Sequence, residues 1–128
     1  MQPHIRAIVA AAAFALINRR KVAGLFDHAA GRHLRIAAES RDDRVQAYDG
    51  DRSAKFGGTL PDLFDESDRS FVSLTIEGTT ARGYDRASGG FYVAEVNDRL
   101  VQLYDHADST WYAFDVQTVD ASEGAADA

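Results

Sequence analysis

The stretch GYDRASGGFYVAEV, residues 83–96, carries the plan of the chain. An aromatic and an aspartate lead, four turn-forming residues follow, and an alternating run closes the phrase. Four other stretches repeat it: LFDHAAGRHLRI from Leu25, AYDGDRSAKFGG from Ala47, LFDESDRSFVSL from Leu63 and LYDHADSTWYAF from Leu103. Set in register on Asp27, Asp49, Asp65, Asp85 and Asp105, the phrases recur at spacings of 22, 16, 20 and 20 residues. A period of that size marks a structural repeat.

Each phrase reads as a β-hairpin with a four-residue loop. The residue two before each Asp then faces the residue seven after it. Those pairs are Leu25 with Leu34, Ala47 with Phe56, Leu63 with Val72, Gly83 with Tyr92 and Leu103 with Tyr112. Ile36, Leu60, Leu74, Ile76, Val96, Phe114 and Val116 continue this face on the outgoing strands, and Ala23, Val45, Ala81 and Val101 on the incoming ones. Alternation of period two over five hairpins assigns it to the core. The opposite face pairs Phe26 with His33, Tyr48 with Lys55, Phe64 with Phe71, Tyr84 with Phe91 and Tyr104 with Trp111, and is polar beyond them.

The expected fold is mainly β: an antiparallel meander of about ten short strands, five repeated hairpins curling into a barrel, with a two-layer sandwich as the alternative. Residues 1–20 form an N-terminal helix, 21–118 the five-hairpin domain, and 119–128 an acidic, disordered tail. Pro3 suits a first helical turn, the alanine run has high helix propensity, and Arg19, Arg20 and Lys21 complement the helix C-terminus. Residues 5–17 are apolar nearly all round, so the helix demands burial on several sides, over an open barrel end or inside it. The same segment also fits a targeting element, but it is too short to span a bilayer. A cytoplasmic location is favoured, with secretion or membrane tethering as the alternative.

The chain has 128 residues, a formal net charge of −6 and no cysteine. One domain is expected. The acidic balance disfavours nucleic acid and anionic lipid as partners. The absence of cysteine removes disulfides, thiolate metal sites and cysteine nucleophiles.

Aspartates at loop starts normally bond the backbone two residues on. Read otherwise, five of them on one rim suggest a cation site. His28 and His106 each follow a repeat aspartate, so closure of the barrel would bring Asp27, His28, Asp105 and His106 together as a candidate metal set, with His33 nearby. Asp49, Asp51 and Ser53 open like a calcium loop, but Ala54 and Leu60 stand where glycine and the bidentate glutamate belong. No nucleophile elbow or phosphate loop is present, and no cofactor is implied.

FDHAAGR (26–32) resembles the tyrosine-aspartate repeats of Rhs-type shell proteins, with a loop one residue longer. The later phrases lose its Gly-Arg pair, and no function is carried over.

The functional expectation is a non-catalytic binding module. Its candidate ligand-binding residues are Tyr48, Phe71, Tyr84, Phe91, Tyr104 and Trp111, on an aromatic and Asp-lined rim. The partner would be a protein, peptide or saccharide. The alternative is a carrier of a small apolar ligand inside the barrel, lined by Leu34, Phe56, Leu74, Tyr92 and Phe114.

Overall fold

The computed structural model describes residues 1–119, so the tail expected at 120–128 lies outside the described residues. Helix α1 (Pro3–Asn18) precedes twelve strand segments: β1 (Lys21–Asp27), β2 (Arg32–Leu34), β3 (Ile36–Arg41), β4 (Arg44–Asp49), β5 (Ala54–Thr59), β6 (Asp62–Asp65), β7 (Ser70–Ser73), β8 (Thr75–Glu77), β9 (Thr80–Asp85), β10 (Gly90–Val96), β11 (Leu100–Asp105) and β12 (Thr110–Val119). Breaks at Arg35 and Leu74 divide two of the strands, leaving ten in a closed antiparallel barrel. β12 pairs with β1 and β9 with β10, so no edge remains open.

The five hairpins form in the expected register. Leu25 faces Leu34, Ala47 faces Phe56, Leu63 faces Val72, Gly83 faces Tyr92 and Leu103 faces Tyr112. The loop chemistry explains why the phrase repeats. Gly31, Ser53, Arg69, Gly89 and Ser109, each four residues past an Asp, all take the left-handed conformation that returns the chain. The residue after each Asp donates its N–H to the preceding hairpin: His28 to Ala113 O, Gly50 to Arg35 O, Glu66 to Lys55 O, Arg86 to Phe71 O and His106 to Phe91 O, at 2.7–3.1 Å. Every loop is thus stitched to its neighbour around the ring.

The register also sets the barrel's width. Asp65 stands opposite Phe56, two residues past Ala54, the partner of Asp49. The same step of two recurs where Asp85 meets Val72 and Asp105 meets Tyr92. A step of four occurs where Asp49 meets Ile36 and Asp27 meets Phe114. A shear of about 14 residues over ten strands tilts them by about 45° and gives a radius of roughly 10 Å. That is the distance one helix axis keeps from a packed wall.

Helix α1 takes this space. Every residue from Ala7 to Leu16 is at most 2% exposed. Its six alanines there keep the rod thin, while Ile8, Phe14 and Leu16 reach the wall. The chain enters at the Asp-loop end, where the Met1 ammonium meets Asp105 at 3.0 Å and His4 meets Asp68 at 2.6 Å. It leaves at the other end, where Asn18 donates to Asn97 O and Arg19 to Asp42 O. Residues 5–17, which also suited a targeting element, are the filling of the barrel.

Three expectations need correction. The lining expected for an internal ligand cavity, Leu34, Phe56, Leu74, Tyr92 and Phe114, instead packs in one cluster with the helix. Ala23 lies outside, because a register slip between Val22 and Gly24 puts Val22 inward in its place and leaves Gly24 facing the exposed Gln117. Lys21 opens β1 instead of ending the helix, which stops at Arg19 in a left-handed cap (φ 55°).

At Gly83 an added Cβ would come within 1.7 Å of Ser73 O and 2.8 Å of the Tyr92 hydroxyl. Only glycine lets β7 pass so close. Buried Tyr92 donates its hydroxyl to Ser73 O at 2.8 Å, and Tyr84 N–H bonds Ser73 Oγ at 2.9 Å. Burial raises the Tyr92 phenol far above its usual range, so it remains a donor.

Candidate functional site

The five aspartates are buried, between 0 and 8% exposed, and turn their carboxylates under the loops. Asp27, Asp49, Asp85 and Asp105 each accept an N–H from the residue two further on at 3.0–3.3 Å, while Asp65 accepts from Asp68 at 2.8 Å. This corrects the expected Asp-lined outer rim: the carboxylates are consumed by loop closure. Arg52 spans two of them, meeting Asp49 at 2.7 Å and Asp65 at 2.9 Å. Burial alone would raise the Asp65 carboxyl. The hydrogen bond and charge of Arg52, with the Asp68 N–H, hold it below the ordinary carboxylate range. Among the described residues no buried side-chain polar atom lacks a hydrogen-bond partner.

The candidate metal set is not assembled. Closure does make hairpins one and five neighbours. However, Asp27 and Asp105 point inward, the His28 imidazole turns out to Asp115 at 3.0 Å, and His106 stacks on Tyr104 at 4.8 Å. His33 packs against Phe26 and lies 3.3 Å from the Gln117 amide. Among the described residues no group of three or more His, Asp and Glu can hold an ion. In the loop that opens like a calcium site, Asp51 pairs with Arg35 at 2.9 Å, and that bond lowers its carboxyl.

The aromatic pairs form as the alternation requires, on the outer face near the Asp loops. Phe64 and Phe71 stand 4.9 Å apart, Tyr84 and Phe91 4.8 Å, Tyr104 and Trp111 5.1 Å, all tilted. In each pair the outgoing member is the exposed one: Phe71 42%, Phe91 62% and Trp111 56%, while Tyr84 and Tyr104 are half-buried beneath. Arg86 over Phe71 joins hairpins three and four, and the His106 N–H, donated to Phe91 O, joins hairpins four and five. Hairpins three, four and five therefore carry one continuous aromatic arc. Tyr48, 44% exposed, stands apart on hairpin two beside Lys55.

A second feature lies outside the repeat pattern. On the outer face of β1, β3, β4, β5 and β6 lies an open groove of about 830 Å³. Its floor is Ala23, Ala37, Gln46 and Gly57, with Tyr48 and Phe64 as walls. The slip at Ala23 and the Gly57–Gly58 bend create the hollow. At Gly57 an added Cβ would fall 2.3 Å from Val45 O, and Gly58 has φ 142°. The signal in the sequence was the set of small residues at outward positions of neighbouring strands.

The outer surface away from the groove and the arc carries Thr75, Arg82, Glu95 and Gln102, and the buried apolar side chains face the helix. This inverts the pattern of a lipid-facing barrel. No helix among the described residues is long and apolar enough to cross a membrane. Comparison with known proteins finds no matching family model, no similar curated protein and no similar solved structure.

Proposed function

We propose that the chain is a non-catalytic interaction module that docks a partner protein on the aromatic arc of hairpins three to five. The observation that carries this reading is the exposure of Phe71, Phe91 and Trp111 on three consecutive hairpins. Cross-strand pairing accounts for the half-buried Phe64, Tyr84 and Tyr104, each worth about 0.2–1 kcal/mol to its hairpin. The same pairing supplies part of the reason for an aromatic outer ring, but it leaves a large apolar ring in water where a threonine would expose less. Contiguous exposed aromatics are the usual anchors of protein interfaces. Phenylalanine offers a saccharide no hydrogen bond, and two of the three exposed rings are Phe, which favours a protein over a sugar.

The test is photo-crosslinking in the native cell, with benzoylphenylalanine at position 91 or 111. Discrete protein adducts are expected from both, and none from the same probe at Thr75 or Gln102 on the polar face. Adducts equally frequent from all four positions would overturn the reading. So would the absence of protein adducts beside saturable binding on a glycan array.

A further inference from the structure

The outer groove adjoins the aromatic arc, sharing Phe64 with it, and carries its own signature. We propose that it binds a small amphipathic monocarboxylate, a molecule with an apolar body and one carboxylate. Three observations support this. The floor of Ala23, Ala37 and Gly57 is apolar apart from Gln46 on β4, and Tyr48 and Phe64 flank it, so an apolar body lies on small side chains between two rings. Its volume of about 830 Å³ lies within the range of small-molecule sites. Finally, the charges at its margin are unbalanced. Lys21 is neutralised by Glu39 at 3.4 Å, whereas Arg44 and Lys55 have no ion-pair partner among the described residues, against the single carboxylate of Glu66. On a chain of net charge −6, this is a locally cationic margin around an apolar floor.

A peptide fits less well. Extended peptides gain affinity by adding to a free strand edge. Here the sheet is closed, and β4, beneath the groove, is already paired over its whole length on both edges. The floor therefore offers side-chain contact and little main-chain bonding, which suits an aliphatic or aromatic acid.

Decanoate, studied below its micellar concentration against the intact protein, supplies the probe. Amide chemical shifts should saturate and map to Ala23, Ala37, Tyr48 and Gly57. Decyltrimethylammonium, with the same chain and opposite charge, should bind at least tenfold more weakly. Succinate, which lacks the apolar body, should not saturate. Lys55→Glu should weaken decanoate at least tenfold, and Ala37→Trp, at an exposed position, should abolish binding with the fold intact by amide dispersion. Phe91→Ser with Trp111→Ser should leave it unchanged, which separates this site from the protein-docking arc. Failure of decanoate to saturate, equal binding of the cationic chain, or shifts confined to the arc would overturn the proposal.

Discussion

At the residue scale, each repeat aspartate serves two parts of the fold. Its side chain closes the loop from beneath, while the N–H of the next residue holds the neighbouring hairpin. Asp65 adds a third task, because Arg52 ties it to Asp49 on hairpin two. Its carboxyl is held below the ordinary range, so the folded state binds its proton more weakly than the unfolded chain does. Its stabilisation is therefore complete above the unfolded carboxylate value, about pH 4, and is lost as the pH falls through the lower folded value. Asp65→Asn should cost about 1.5–3 kcal/mol at pH 7 by urea denaturation, and the penalty should shrink toward pH 3. Parallel curves for mutant and parent at both pH values would contradict this role. The turn role of the aspartates was legible, because Asp at a loop start has few other habits. The Arg52 bridge was not. A side chain that spans two hairpins depends on their stagger around the ring, which no local spacing encodes.

At the element scale, α1 and the strands around it are matched in size. A helix that is apolar on every face declares that it is buried, but not whether it lies on a sheet or within one. The alanines hold the answer once the ring is known, since a roughly 10 Å radius leaves space for small side chains against most of the wall. Ala11 is fully buried with wall on its outward side. Ala11→Leu raises helix crowding without changing polarity, and should destabilise by about 1–3 kcal/mol. A helix lying on an open face would absorb the added side chain, so a loss below about 0.5 kcal/mol in denaturant melts would show that the interior has slack. The slip at Ala23 was missed for a related reason. Alanine is compatible with either face, so the alternation read smoothly through a bulge. That bulge helps to form the groove, and so the irregularity hidden from the pattern is the one that bears on binding.

At the scale of the whole molecule, closure distributes stability unevenly around the ring. The seam between the first and last strands is long: β1 and β12 match over six residue pairs, from Lys21–Val119 to Asp27–Phe114. Hairpin three is bounded by the two thinnest seams. β5 and β6 match only at Phe56–Asp65 and Gly57–Phe64, and the strand divided into β7 and β8 meets β9 at Val72–Asp85 and, past the break, from Thr75–Arg82 to Glu77–Thr80. The bonds from Tyr84 N–H and the Tyr92 hydroxyl to Ser73, with Arg52 on Asp65, partly mend these gaps. They are single contacts where a ladder would give several. Local openings follow such weak boundaries, and amide exchange reports them residue by residue. Amides of β6 and β7 should therefore exchange at least tenfold faster than those of β1 and β12 under native conditions. Tyr92→Phe, which removes one mend, should widen the difference and leave β1 and β12 unchanged. Uniform protection around the barrel would mean that the ring opens only as a unit. Hairpin three also carries Phe64 and Phe71, one end of the aromatic arc, and Phe64 walls the groove as well. A ligand that bound either surface across a seam would tie hairpin three to its neighbour, and its slowed exchange would report occupancy of that surface.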